Sequence, residues 1–230
     1  MKRALRVLIS AGPTREPIDP VRFISNYSTG YMGTQLAAAS LRRGHRVTVV
    51  SGPGSEALPR AARVVPVEQA GEMAAALRSE SRRADIVIMA AAVSDFQPVR
   101  RAESKQPRRA RWTLRLRATP DIVGQLPRRP GQVVAGFALE TGSEQAAVQR
   151  ASRKLRAKRL DVILAQQALP GRTPFGRRSI RAWLLERNGS VTALGWQSKT
   201  VVAGALLDKI EALWYGQPEP TKGRHGTAKT

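Results

Sequence analysis

No cysteine occurs in the 230 residues, which excludes disulfides and thiolate metal sites. The absence is compatible with a reducing compartment, and a cytoplasmic location is the expectation. No apolar run approaches the roughly 18 to 20 residues of a membrane span. The opening Met-Lys-Arg-Ala-Leu-Arg-Val-Leu-Ile leads straight into a strand pattern, without the apolar segment and cleavage site of a secretory leader. No membrane partner is expected. Aromatic residues are scarce, at 5%, and acidic residues number 17 against 39 basic ones, for a net charge of +22.

Such a charge raises nucleic acid as a partner, but its distribution argues against a specific one. The 31 arginines and 8 lysines are spread along the whole chain, many on helix faces such as Arg42-Arg43, Arg82-Arg83 and Arg150 to Arg159. The densest stretch, Arg100 to Arg117, offers only Trp112 for base stacking. Two nucleotide motifs are also missing. Nothing reads G-x-x-x-x-G-K-[ST]. The G-x-G-x-x-G dinucleotide turn, with its acidic residue about 20 positions on, is absent too, since strand two ends Val49-Val50-Ser51-Gly52 without a carboxylate.

Apolar residues at 42% supply an ample core. The length suits one large α/β domain, residues 1–216, followed by a polar tail, 217–230, expected to be disordered. Strands are expected at Leu5–Ser10, Arg46–Val50, Val64–Val67, Asp85–Ala90, Trp112–Arg117, Val133–Phe137 and Asp161–Ala165. Helices are expected at Met32–Arg43, Ala70–Arg83, Ser143–Arg159 and Lys199–Trp214. Gly44 marks a helix stop, and Thr119-Pro120-Asp121 reads as a helix start with a capping hydroxyl and a proline at the first helical position. Arg187-Asn188-Gly189 is a hairpin signal between Ile180–Leu185 and Ser190–Leu194. The alternation predicts a Rossmann-like α/β fold: a mostly parallel sheet covered on both faces, with an antiparallel edge hairpin. Ligands in such sheets bind beyond the C-terminal strand ends, which groups the loops after strand one, after Ala90 and after Phe137.

The feature that stands out is the 22-residue connection Gly12 to Gly33, GPTREPIDPVRFISNYSTGYMG, where a few residues would suffice. It carries charges of both signs and ends at a helix N-terminus, where free N–H groups and the macrodipole attract anions. Ser28, Thr29 and Gly30 suit phosphate oxygens. Close helix–sheet packing is the competing explanation for Gly30 and Gly33.

TREPIDPVRFISN with STG-x-MG, AAAVSDFQP from Ala90, TPDIV from Thr119, GFALET from Gly136 and KLRAKRLDVILA from Lys154 together resemble phosphopantothenoylcysteine synthetase, the C-terminal part of the DNA/pantothenate metabolism flavoproteins. The resemblance runs in order from about residue 5 to 215, with no decarboxylase half ahead of it, so a free-standing synthetase is expected. It implies an amide-forming ligase of coenzyme A biosynthesis. CTP or ATP, with Mg²⁺, would activate the carboxylate of 4'-phosphopantothenate as an acyl nucleotidylate, and L-cysteine would then displace the nucleoside monophosphate. A homodimer is implied in the same way, and a separate decarboxylase is a further partner that the sequence leaves open.

Residue by residue, Lys105 matches the lysine of the first half-reaction, and Asn26 matches the asparagine that turns over the acyl intermediate. Asp95 matches a nucleotide-contacting position. Met89, Ala90 and Ala91 would let the nucleotide approach the backbone, and Pro120, Asp121, Ile122 and Val123 would face base or sugar. Phe137 would pack on the nucleotide, and Lys154 and Lys158, i and i+4, would contact it together. Each has a plainer alternative: a solvated charge for the lysines, a local turn for Asn26, loop capping for Asp95, and core packing for Met89, Ala90, Ala91 and Phe137. No metal ligand can be named. Tyr31 stands where the family often has lysine, Gln166 where it has asparagine, and Arg177-Arg178 where it has Ser-Asp. Tyr31 and Arg177-Arg178 keep one rival in view, the same fold with another acid or amine, and the arginines keep a second, a basic nucleic-acid-binding protein on this fold.

Overall fold

The computed structural model describes residues 3–217; the expected tail lies, apart from Gln217, outside the described residues. Six strands run parallel: β1 (Arg6–Ala11), β4 (Arg46–Ser51), β5 (Arg63–Pro66), β6 (Ile86–Met89), β9 (Val133–Glu140) and β10 (Val162–Gln167). The antiparallel hairpin β11 (Ile180–Glu186) and β12 (Val191–Gln197) closes one edge, giving the order β12-β11-β10-β9-β6-β1-β4-β5. The chain builds outward from β1 through β4 and β5, then returns to place β6 on the other side of β1. The crevice beyond the C-terminal ends of β1 and β6 is thus the topological switch point, where ligands bind in open α/β sheets.

The parallel strands alternate with period two between two buried faces. Val7, Ile9, Val47, Val49, Ile86, Ile88, Val133 and Leu164 pack against α1 (Tyr31–Arg42) and α4 (Lys199–Tyr215). Leu8, Val50, Val87, Val134 and Ile163 pack against α2 (Ala70–Ser81) and α3 (Glu144–Ala157). The expected α/β architecture is therefore observed. No helix among the described residues is long and apolar enough to cross a membrane.

Four expectations change. Thr119-Pro120-Asp121 starts no helix: residues 122–125 form a turn, in which the Gly124 N–H donates to Asp121 Oδ1 at 3.1 Å. Gly124, Pro127 and Pro130 leave no room for a helix to propagate, and the Thr119 hydroxyl instead donates to the Ser94 carbonyl at 2.6 Å. The strand expected at Trp112–Arg117 is only β8 (Leu116–Ala118), paired antiparallel with β7 (Phe96–Pro98), which lies in the loop expected after Ala90. The long connection after β1 contains its own hairpin, β2 (Arg15–Pro17) against β3 (Phe23–Ser25). Strand β9 also continues past Phe137 to Glu140, so the chain leaves the sheet three residues later than expected.

Candidate active site

The connection after β1 is held by backbone bonds to the segment after β6. The Ala92 N–H donates to the Gly12 carbonyl at 2.9 Å, and the Ala92 carbonyl accepts from the Thr14 N–H at 3.2 Å and from Asn26 Nδ2 at 2.9 Å. The Thr14 hydroxyl accepts the Ser94 N–H at 3.0 Å, and the Ser25 hydroxyl donates to the Thr14 carbonyl at 2.7 Å. Glu16, buried, accepts the Ala70 N–H at the start of α2 at 2.8 Å, a favourable place for a carboxylate.

Between these segments lies a cleft of 300 Å³ lined by Asn26, Ser28, Thr29, Gly30, Ala90, Ala91, Asp95 and Phe137, together with Tyr31, Gln166, Phe175 and Lys199. Gly30 takes φ 85°, a left-handed conformation open to glycine without strain, and so turns the chain into α1. A Cβ at Gly33 would collide with the Ala11 side chain, so α1 rides close on β1 and brings its N-terminal turn to the strand ends. The Ser28 and Thr29 hydroxyls accept the Gly30 and Tyr31 N–H groups at 3.4 and 3.3 Å. Bonds that long are weak enough to exchange for a ligand oxygen. The Ser55 and Glu56 N–H groups both donate to the Thr29 carbonyl and fix the loop from behind.

Lys105 is exposed and lies outside the cleft lining, but its segment is pinned to the same connection. Buried Asp19 accepts the Gln106 N–H at 3.2 Å and two bonds from the Arg22 guanidinium, which also donates to the Gln106 carbonyl at 2.9 Å. The Ala102 N–H donates to the Ile18 carbonyl. The Arg22 bonds, reinforced by three backbone N–H groups, hold the Asp19 carboxyl well below the usual carboxylate range against the opposing effect of burial.

The remaining expected residues sit apart. Met89 is buried in the core shared with α2 and α3 and supports Ala90 from below. Ile122 and Val123 pack on that same face. Lys154 pairs with Glu140 at 2.7 Å, and Lys158 pairs with Asp121 at 2.5 Å. Burial would raise both carboxyls, yet the lysines, with Arg150 and the Gly124 N–H, hold them below their ordinary values. Lys154 therefore reaches the C-terminal end of β9 from the α3 side and Lys158 reaches the segment leading into the 122–125 turn, while the Ser28–Gly30 loop lies on the α1 side.

Lys199 was not expected here. It is 5% exposed, and its ammonium donates to the carbonyls of Pro174 at 2.7 Å and Gly176 at 2.8 Å. Burial lowers its pKa to about 8, partly offset by the Glu56 carboxylate. A signal existed in the sequence: a lysine directly after the capping Ser198 opposes the helix dipole, so some other demand must hold it there.

No group of three or more His, Cys, Asp or Glu able to hold a metal occurs among the described residues. Asp95, exposed, is the one carboxylate in the cleft lining among them. One carboxylate suits Mg²⁺ carried in on substrate phosphates, which needs no all-protein cage.

Replacing Asp19 with Asn should free the segment carrying Lys105. Hydrogen exchange at Ala102 and Gln106 is expected to speed up by about tenfold or more, with the sheet amides unchanged. Because the folded-state pKa is depressed, the wild-type anchor is fully present above the unfolded value and lost as pH falls towards the folded one. Protection should therefore persist at pH 4. Unchanged exchange in the variant would remove Asp19 as the anchor.

The sequence profile of the DNA/pantothenate metabolism flavoprotein C-terminal domain matches residues 3–213. The coenzyme A biosynthesis bifunctional protein CoaBC of Bacillus subtilis (strain 168) is 40% identical over 210 residues, covering 90% of this chain and 51% of that protein. A cysteine/cysteine sulfinic acid decarboxylase from an unknown prokaryotic organism is 39% identical over 212 residues, covering 90% and 58%. The chain thus spans between half and three-fifths of the curated relatives it matches. The crystal structure of the C-terminal domain of CoaBC superposes with a TM-score of 0.76 at 31% identity, covering 93% of this chain and 97% of that one. With the switch-point cleft and the long connection after β1 in place, this chain belongs to the family of DNA/pantothenate metabolism flavoprotein C-terminal domains.

Proposed function

We propose that the chain is a phosphopantothenate–cysteine ligase of coenzyme A biosynthesis, using CTP or ATP with Mg²⁺. The observation that carries the reading is the convergence of Asn26, the Ser28–Gly30 loop and Asp95 in one cleft at the β1/β6 switch point. The match to the C-terminal domain of CoaBC supports it.

In the first half-reaction a carboxylate oxygen of 4'-phosphopantothenate attacks the α-phosphorus of the nucleotide, and pyrophosphate leaves. Two anions must meet, so cationic screening is the main catalytic demand. Lys105 supplies it from a segment already anchored beside the cleft through Asp19 and Arg22. Lys154 and Lys158 serve nucleotide phosphates by exchanging their present partners, Glu140 and Asp121, for ligand oxygens. Mg²⁺ arriving on the triphosphate would neutralise phosphate charge, and Asp95, the one carboxylate of the cleft lining among the described residues, would hold it. Ala90 and Ala91, kept small and supported by Met89, let the nucleotide lie against the backbone. Phe137 packs on it, and Pro120 and Asp121, just ahead of the 122–125 turn, face its base or sugar, while Ile122 and Val123 support them from the core.

In the second half-reaction the cysteine amine attacks the acyl carbon, the acyl–oxygen bond breaks, and the nucleoside monophosphate leaves while the amine gives up a proton. Asn26 holds the acyl carbonyl with an amide that cannot compete as a nucleophile, its position fixed by the Ala92 carbonyl. The product is an amide bearing cysteine's free carboxylate, and a decarboxylase is the partner proposed to consume it.

We also propose a homodimer. Val21 and Phe23 from the small hairpin, Tyr27, and Phe96, Trp112 and Leu116 around β7 and β8 expose large apolar surface on neighbouring segments. Patches of that kind mark interaction sites. Sedimentation at micromolar concentration should give twice the chain mass; a single-chain mass would remove this assignment.

Lys105→Ala should abolish pyrophosphate release with phosphopantothenate and either nucleotide, lowering it about a hundredfold or more. Asn26→Asp should release about one equivalent of pyrophosphate and then stall with the acyl nucleotidylate bound, cysteine notwithstanding. Wild-type turnover in both variants would show that these residues do not carry the chemistry.

A further inference from the structure

The segment Pro174–Arg177, between β10 and β11, crosses the rim of the cleft as a strap. It is fixed at one end by Lys199, whose ammonium satisfies the carbonyls on either side of Phe175. The Phe175 ring meets Tyr27 on the opposite rim, with centroids 6.5 Å apart. The Arg177 guanidinium stands 5.5 Å over the ring of Tyr31, the first residue of α1, and pairs with Glu56 at 3.2 Å. Glu56 is itself bonded through its N–H to Thr29 of the anion loop.

Tyr31 and Arg177 are two of the positions that depart from the family pattern, and the fold puts them together. A neutral ring occupies the start of α1, and a guanidinium stacked on that ring restores positive charge at the same place. We propose that Lys199 is a positioning residue that latches the strap so that Arg177, oriented by Tyr31 and Glu56, meets a phosphoryl group seated at the N-terminus of α1. This deepens the phosphate-using reading above and rests on it. The phosphoryl group has two sources, the nucleotide or the phosphopantothenate.

The latch has a pH signature. Glu56, on the loop after β4, is the charged group that acts on the Lys199 ammonium; Arg177 of the strap pairs with that same Glu56, and Asp95 belongs to the same cleft lining. Burial places its titration at about 8. Below that pH the ammonium grips both carbonyls, and above it a neutral amine donates more weakly. The folded-state pKa lies below the unfolded one, so the fold binds fewer protons between about 8 and 10.5, and stability rises with pH across that window. Ligand affinity should fall in the same window. The two trends oppose each other, which separates a loosened strap from general unfolding.

The test is calorimetric titration of CTP, of ATP (both with Mg²⁺) and of 4'-phosphopantothenate, each alone and without cysteine, on wild type, Lys199→Met, Arg177→Ser and the double variant. One class of ligand should bind about tenfold more weakly in each single variant. The double variant should be no weaker than the worse single one, because both changes break one device. Whichever class is affected names the source of the phosphoryl group. Wild-type affinity for that class should fall from pH 7 to pH 9, and that of Lys199→Met should not. Since the chain has no cysteine, Lys199→Cys can be alkylated with 2-bromoethylamine to return an ammonium, which should restore affinity at pH 7. Additive losses, equal losses for both classes, unchanged affinities, or no binding of either class to wild type would each overturn the strap. Absence of pyrophosphate release with the titration pattern intact would overturn the ligation reading alone.

Discussion

The peptide group of Ala92 is the point on which the site depends. Buried backbone donors and acceptors must find partners, and a 22-residue connection leaving β1 has many to satisfy. The parallel sheet sets the C-terminal end of β6 beside that of β1, so the chain after β6 is the surface within reach. Ala92 gives its N–H to Gly12 and receives Thr14 and Asn26 at its carbonyl. From Thr14 the chain of bonds continues through Ser94 to Thr119. One run of hydrogen bonds thus ties Asn26, on the α1 side of the sheet edge, to Thr119, two residues before Lys158's partner Asp121. The proposed reaction, which joins two anionic substrates, needs the flanks of the cleft held at fixed separation, and this network ties them together.

The charge of the chain is organised around the same geometry. Structural acids are occupied by arginines at the far ends of the strands: Asp85 by Arg6, Asp161 by Arg128 and Arg187, Glu211 by Arg43. At the C-terminal edge the cations are arranged differently. Lys154 and Lys158 sit on carboxylates they can exchange, Arg177 on a ring and one exposed-side pairing, and Lys199 on carbonyls alone. The net positive charge of the chain as a whole would favour the approach of phosphate ligands.

The sheet was legible in the sequence because its strands are short apolar runs separated by amphipathic helices, the pattern that period and length read best. Gly44 lies just past the end of α1, where a helix-stopping glycine belongs. The Thr119-Pro120-Asp121 start failed because capping signals are local, whereas Gly124 and Pro127 downstream decide whether a helix can grow. The hairpin within the first connection was missed because three-residue strands carry almost no periodicity and are stabilised by tertiary bonds, Glu16 to Ala70 and Ser25 to Thr14. Asn26, the Ser28–Gly30 loop and Asp95 could be named from motif order, and the fold brings them into one cleft. The role of Asp19 as an anchor could not be named, since its partner Gln106 is 87 residues away. The 174–177 strap was invisible for the same reason, its contacts being made only when β10, α4 and α1 have assembled; Lys199 left one trace, a cation in the first turn of α4.

The central claim is that the carboxylate of one substrate attacks the α-phosphorus of the other. The most direct measurement is a turnover with 4'-phosphopantothenate labelled with oxygen-18 in its carboxylate, in the presence of Mg²⁺, cysteine and CTP or ATP, with the products resolved by mass. The account predicts one labelled oxygen in the nucleoside monophosphate and none in pyrophosphate. Label in inorganic phosphate, with nucleoside diphosphate released instead, would mean attack at the terminal phosphorus and would contradict it.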